Sequence, residues 1–125
     1  MAEISINIDR ESDLTIIAIE GILEKDDLLD ALSEYFSSGP TLNTIYDSTA
    51  GDWSKISTDT YLEMIRSAKR YARKEASVAM VFSSEVDFGI GRMIESFAEH
   101  EGYENRLSCF RTLQEARNWL TQLNR

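Results

Sequence analysis

Cysteine, histidine and proline each occur once in this chain of 125 residues, as Cys109, His100 and Pro40. A lone cysteine excludes an internal disulfide and suits a reducing cytoplasm. With a lone histidine as its only companion, the common zinc sites cannot be assembled. His100 reads more simply as a cation-capable residue near a helix end, and Cys109 as an inert thiol among apolar neighbours. Runs such as Ile16–Ile19 are far too short to span a bilayer. The opening Met-Ala-Glu-Ile-Ser has neither a basic nor an apolar leader region, so no signal peptide is expected. Basic residues are scarce: 13 against 22 acidic give a net charge of -9. A nucleic-acid backbone would be repelled by that balance, which argues against a nucleic-acid partner. Glu24, Asp26, Asp27 and Asp30 lack the glycine and the ligand spacing of a calcium loop and read as solvated surface. No metal and no cofactor is expected.

What is present is an ordinary folding inventory. Hydrophobic residues make up 42% and charged residues 28% of the chain, the proportions of a folded globular protein. The length suits one domain, residues 1–125, with a core that needs no staple. Ile4, Ile6 and Ile8 alternate with polar residues as in a half-buried strand. After the polar turn 9–13, Leu14–Glu20 forms a β-branched second strand closed by Gly21, and the short connection makes the pair antiparallel. Glu24–Ser37 carries Leu28, Leu29, Leu32, Tyr35 and Phe36 on one helical stripe and ends at Gly39-Pro40. Leu42–Asp47 is a third strand and 48–56 a polar loop.

Ser57 then caps a helix running to about Lys74, with Tyr61, Met64, Ile65, Ala68, Tyr71 and Ala72 on its inner face. Ser77–Phe82 is apolar on both faces and reads as an interior strand. Ser84 caps a helix to about His100, with Val86, Ile90, Met93, Ile94 and Phe97 as its expected buried stripe. Arg106–Phe110 is a fifth strand. Thr112 and Glu115 form a capping box for a last helix with Leu113, Ala116, Trp119, Leu120 and Leu123 on its apolar face. The order ββαβαβαβα implies an α/β fold: a mixed, mostly parallel five-stranded sheet with an antiparallel first strand.

In that order, the chain resembles the SpoIIAA-like family, the STAS-type domains, and among them the stand-alone bacterial STAS/SEC14-like members. The resemblance covers nearly the whole chain. It rests on Ile4-Ser5-Ile6-Asn7-Ile8-Asp9, on Gly21-Ile22-Leu23-Glu24, on the strand ending Ile45-Tyr46-Asp47, on Phe88-Gly89-Ile90-Gly91-Arg92-Met93 and on Phe110-Arg111-Thr112-Leu113-Gln114-Glu115-Ala116. It implies helices wound around the sheet in a βα superhelix. In anti-sigma-factor antagonists it implies partner binding through the loop and helix after the third strand, with a phosphorylated serine at that helix's start. This chain lacks the Asp-Ser-Ser-Gly-type motif. Ser54, Ser57 and Thr58 occupy the region without matching the phosphoacceptor. The stand-alone relatives have been thought of as carriers of small apolar molecules or as membrane-associated proteins.

Each candidate site residue has a functional and a plainer reading. Ser57 and Thr58 could receive a phosphate at a helix N-terminus, or Ser57 could simply cap it. Phe88 points away from the expected apolar stripe, and Gly89 and Gly91 are costly in a helix. Close approach of a ligand or of another backbone would explain them, with Arg92 pairing a ligand carboxylate or an acidic neighbour. Gly89-Ile90-Gly91 lacks the third glycine of a dinucleotide fingerprint. Arg66, Lys69, Arg70, Arg73 and Lys74 form a basic helix face that could meet anionic headgroups or an acidic partner, or is a solvated surface suited to a helix C-terminus. Trp53 could anchor a partner or cover the core edge.

The leading expectation is a cytoplasmic, non-enzymatic regulatory or protein-interaction module, acting through the Asp47–Lys74 region and the start of the third helix. The alternative is a binder of a small apolar or lipid-like ligand, with peripheral membrane contact. Its pocket would lie between the second and third helices, lined by Tyr61, Ile65, Phe88 and Met93. A homodimer is compatible with an edge first strand.

Overall fold

In the computed structural model, which describes residues 2–123, alternation along β1 (Glu3–Asp9) turns Ile4, Ile6 and Ile8 to one side and leaves Glu3, Ser5 and Asn7 exposed. β1 pairs antiparallel with β2 (Leu14–Ile22). Their turn is held by Asp9, whose carboxylate accepts the N–H groups of Glu11 and Ser12 at 3.1 and 3.2 Å. The remaining elements are α1 (Lys25–Ser38), β3 (Asn43–Asp52), α2 (Thr58–Lys69), β4 (Ser77–Phe82), α3 (Glu85–His100), β5 (Arg106–Phe110) and α4 (Leu113–Leu123). The strands lie in chain order across the sheet, with β2 to β5 parallel. The expected ββαβαβαβα order and mixed five-stranded sheet are thus present.

The two faces of the sheet are covered unequally. One core joins Ile17, Leu28, Leu32, Trp53, Ile65, Phe82 and Ile94, so α1, α2 and α3 share that face. The other joins Ile45, Ala79, Val81, Ala116 and Leu120, so α4 covers its face alone. Interior β4 is buried at every residue, as an apolar run between two covered faces requires. Full burial of each large aliphatic or aromatic side chain contributes about 1.5–3 kcal/mol, and Trp53, Tyr35 and Phe82 are the largest of them.

The ends of β3 and α2 and the buried face of α3 differ from the sequence expectation, each for a local reason. β3 runs on to Asp52, past the expected end at Asp47. Ala18 faces Asp47 and Glu20 faces Ala50, so Ser48 and Thr49 together oppose Ile19, a bulge that bends the strand and continues the ladder to Ile22 and Asp52. α2 ends at Lys69 with Arg70 as its C-cap, so Arg73 and Lys74 leave the helix and the five-residue basic face does not form. α3 is rotated by about one residue, or 100°. It buries Asp87, Gly91, Ile94 and Ala98, while Val86 and Met93, expected inside, are 69% and 41% exposed.

Gly91 explains that rotation. A β-carbon on it would overlap the Phe82 ring and stand 2.9 Å from Cys109 Sγ. The helix therefore rests on β4 and β5 through its smallest residues, and the plainer packing reading holds for this glycine. Around Gly89 nothing lies within 4 Å. Gly91→Ala is expected to destabilise the fold by about 1–3 kcal/mol through overpacking. Gly89→Ala should stabilise it by up to ~1 kcal/mol through helix propensity. Urea unfolding of the two variants checks this, and equal effects would refute the packing assignment.

Candidate interaction surface

The carboxyl ends of β3 and β4 deliver the chain into two capped helices lying side by side. Ser57 Oγ accepts the Thr60 N–H at 3.3 Å, and Ser84 Oγ accepts the Asp87 N–H at 3.0 Å. Both serines satisfy backbone donors that a helix start leaves unpaired, so capping is the role seen for Ser57. Thr58 is the exposed first residue of α2.

Trp53 is fully buried. That corrects the reading of it as an exposed anchor; it closes the core edge instead. Its indole N–H donates to Ser48 Oγ at 2.9 Å, its backbone N–H donates to the Asp87 carboxylate at 3.2 Å, and its ring meets Phe82 edge-on at 5.6 Å. A buried indole needs a hydrogen-bond acceptor, and the bulge supplies Ser48 for that purpose. Asp87, which sequence reasoning passed over, fastens the loop after β3 to the first turn of α3. Burial raises the Asp87 carboxyl pKa, the Trp53 N–H lowers it, and neighbouring Asp52 raises it, for a net upward shift.

The other expected site residues do not form one cluster. Asp47 shares the Ile45 side of β3, facing the α4 layer, and accepts the Thr49 N–H and hydroxyl at 3.1 and 2.8 Å. It braces the bulge and stands apart from Trp53. Arg70 caps the far end of α2, about 20 Å from Ser57. Arg66 pairs with Glu101 at 2.9 Å, Arg92 with Glu95 at 3.3 Å, and Lys25 with Glu63 at 3.3 Å. Phe88 is partly buried against the core, with the Arg111 guanidinium 4.4 Å from its ring centre and tied to Glu85 at 2.7 Å. That stacking accounts for an aromatic off the apolar stripe.

The expected apolar pocket is also displaced. Tyr61 and Ile65 are buried in the core and Met93 is surface. The apolar hollow beneath α2 measures about 30 Å³, roughly the space of one water, and of the four expected lining residues only Ile65 reaches it. What α2 and α3 do present outward is Ser57, Thr58 and Arg66 on one helix and Val86, Gly89, Arg92 and Met93 on the other, all exposed. No helix of the described residues is long and apolar enough to cross a membrane.

No known family model matches the chain, and no curated protein sequence does. The fold is nevertheless that of known structures. An anti-sigma factor antagonist from Mycobacterium paratuberculosis superposes with a TM-score of 0.66 at 11% identity, over 100% of this chain and 96% of that one. An uncharacterized protein of the DUF3478 family from Shewanella loihica, described as having a SpoIIAA-like fold, superposes with a TM-score of 0.63 at 19% identity, over 96% and 95%. The chain therefore has the SpoIIAA-like fold, as the sequence resemblance implied.

The Asp87 environment sets a pH dependence. Folded Asp87 holds its proton to higher pH than the unfolded chain does, so stability present at low pH is lost as pH rises through the folded pKa. Asp87→Asn keeps an acceptor for Trp53 and removes the charge. The stability of the variant relative to the parent is expected to improve as pH rises from about 4, the ordinary carboxylate range, and to level off above the folded pKa of Asp87. Chemical denaturation across that range checks it, and a difference that stays flat or falls would overturn the assignment.

Proposed function

We propose that the protein is a non-enzymatic regulatory module that binds a protein partner across the outer surfaces of α2 and α3. The observation that carries this reading is the rotation of α3. Val86 and Met93 belong to an apolar stripe of helical spacing, yet the fold leaves them 69% and 41% exposed. An apolar strip with a charged border is the usual make-up of an interface core and rim, and methionine suits it by adapting to a partner's shape. Arg66 and Arg92 border the strip, and Ser57 and Thr58 stand at the exposed start of α2. The shared fold with an anti-sigma factor antagonist is in keeping with regulation by protein contact.

Binding rather than catalysis is favoured by the state of the reactive groups. The Cys109 thiol is buried, and burial pushes its pKa far above the ordinary value, which suppresses the nucleophilic thiolate. His100 stands on the exposed end of α3. A cytoplasmic setting belongs to the same proposal. Carriage of an apolar or lipid-like ligand between α2 and α3 has less support, because the hollow there has room for about one water.

The test is quantitative affinity purification from the native cell with Val86→Glu/Met93→Glu and with Arg66→Glu, against Asn7→Glu on exposed β1 as control. Recovery of a specific partner should fall at least about tenfold for the α3 double variant, the effect of ~1.4 kcal/mol. Arg66→Glu should reduce it less, as a rim charge does, and the control should leave it intact. An unchanged partner set would remove this surface from consideration. Native mass spectrometry of the purified protein distinguishes a second copy from a different partner.

A further inference from the structure

At the opposite end of the sheet, where β3, β4 and β5 begin, a cleft of about 190 Å³ opens between the end of α1 and the segments leading into β4 and β5. It has room for roughly six waters at ~30 Å³ each, and it shares Tyr46, Ala68, Val78 and Tyr103 with the apolar hollow beneath α2. One wall is the stacked pair Phe36 and Tyr71, with ring centres 4.7 Å apart at 17°. Tyr46 and Tyr103 form another part of its lining.

The hydrogen-bond inventory of this cleft leaves donors over. Tyr35 is fully engaged by Thr41 and Thr44 and belongs to the fold. Asn105 is locked: its oxygen accepts the Arg73 N–H at 2.7 Å and its amide donates to the Tyr103 oxygen at 2.9 Å. Tyr103 therefore already has a donor, and its own O–H is left to give. The Tyr46 hydroxyl has no hydrogen-bond partner among the described residues and lines the cleft. Burial pushes the Tyr103 phenol up to about 12 and raises that of Tyr46 well above the ordinary value. Both hydroxyls thus remain protonated near neutrality. Arg73 is the only charged residue lining the cleft, in a protein of net charge -9, and among the described residues its side chain has no carboxylate partner. Flat aromatic walls, two hydroxyl donors and one cation that no carboxylate pairs make a site that is short of an anion.

We propose that this cleft binds a small, single-ring aromatic carboxylate. The ring packs on the Phe36–Tyr71 pair, where offset stacking is favourable, and the carboxylate accepts from Tyr46 and Tyr103 and is drawn by Arg73, as charge-assisted hydrogen bonds favour. The site is independent of the α2–α3 surface, since it stands at the amino ends of the strands and shares none of the exposed residues proposed there.

Amide chemical-shift titration with benzoate tests the proposal, with benzyl alcohol as the neutral counterpart. Benzoate should bind saturably, with shifts gathered at Tyr46, Val78, Tyr103 and Asn105 and none near Val86 or Met93. Benzyl alcohol should bind at least about fivefold more weakly, and Tyr46→Phe and Arg73→Gln should each weaken benzoate by a similar factor. Arg73 is exposed, so its variant tests the charge without disturbing the core. Three results would each overturn the proposal: no saturation by about 10 mM benzoate, well beyond the millimolar affinity of a weak fragment; equal affinity for the alcohol; or shifts centred away from the cleft.

Discussion

The contact of α3 with Phe82 governs much of this molecule. Gly91 lets the helix lie directly on that ring, Trp53 meets the same ring edge-on, and Asp87 on the first turn of α3 holds the Trp53 backbone. Three features follow from one ring. The helix takes a fixed rotation, the loop after β3 is drawn into the core, and the carboxyl end of the sheet is sealed. Close packing makes such an arrangement intolerant of a single added methyl group. A buried carboxylate with a raised pKa is the electrostatic cost of closing the loop in this way.

Much of the architecture was legible in the sequence because each element carries a complete local signal. Ile4, Ile6 and Ile8 show a period of two, Ser57 and Ser84 mark helix starts, and Ser77–Phe82 is apolar throughout. The features that were not legible depend on contacts distant in sequence. The bulge at Ser48–Thr49 exists because Trp53 needs Ser48 as an acceptor and Thr49 can turn to Asp47. The early end of α2 carries no glycine or proline to announce it. The rotation of α3 is not legible because the expected stripe Val86, Ile90, Met93, Ile94 and Phe97 is more apolar than the true inner stripe of Asp87, Gly91, Ile94 and Ala98, which shares only Ile94 with it. Periodicity reports which face is greasy, whereas closeness to the sheet is decided by which face is small.

That conflict between pattern and packing is what points to the proposed interaction surface. A sequence whose levels agree would bury its greasier stripe. Here the stripe is kept and left partly open, on the helix adjoining the capped start of α2. Trp53, the residue that looked most like an anchor, instead lies behind the start of α3, against Phe82 and bonded to Asp87. In the proposed complex a strip already fixed in shape would lower the ordering cost of association.

The parallel sheet also separates two kinds of chemistry. At its carboxyl ends the polar groups are satisfied within the fold: two serine caps, the Trp53–Ser48 bond and the Trp53–Asp87 bond. At its amino ends Tyr35, Thr15, Thr41 and Thr44 satisfy one another, but Tyr46 and the Tyr103 proton are left over. Tyr46 is mid-strand on β3 and Tyr103 follows α3, and their proximity arises only when the sheet is assembled. Hydroxyl donors in excess of acceptors, in a cleft that Arg73 also lines, are what the proposed carboxylate would satisfy. A carrier for neutral lipid would be expected to have the opposite lining, apolar at the mouth and free of unpaired donors.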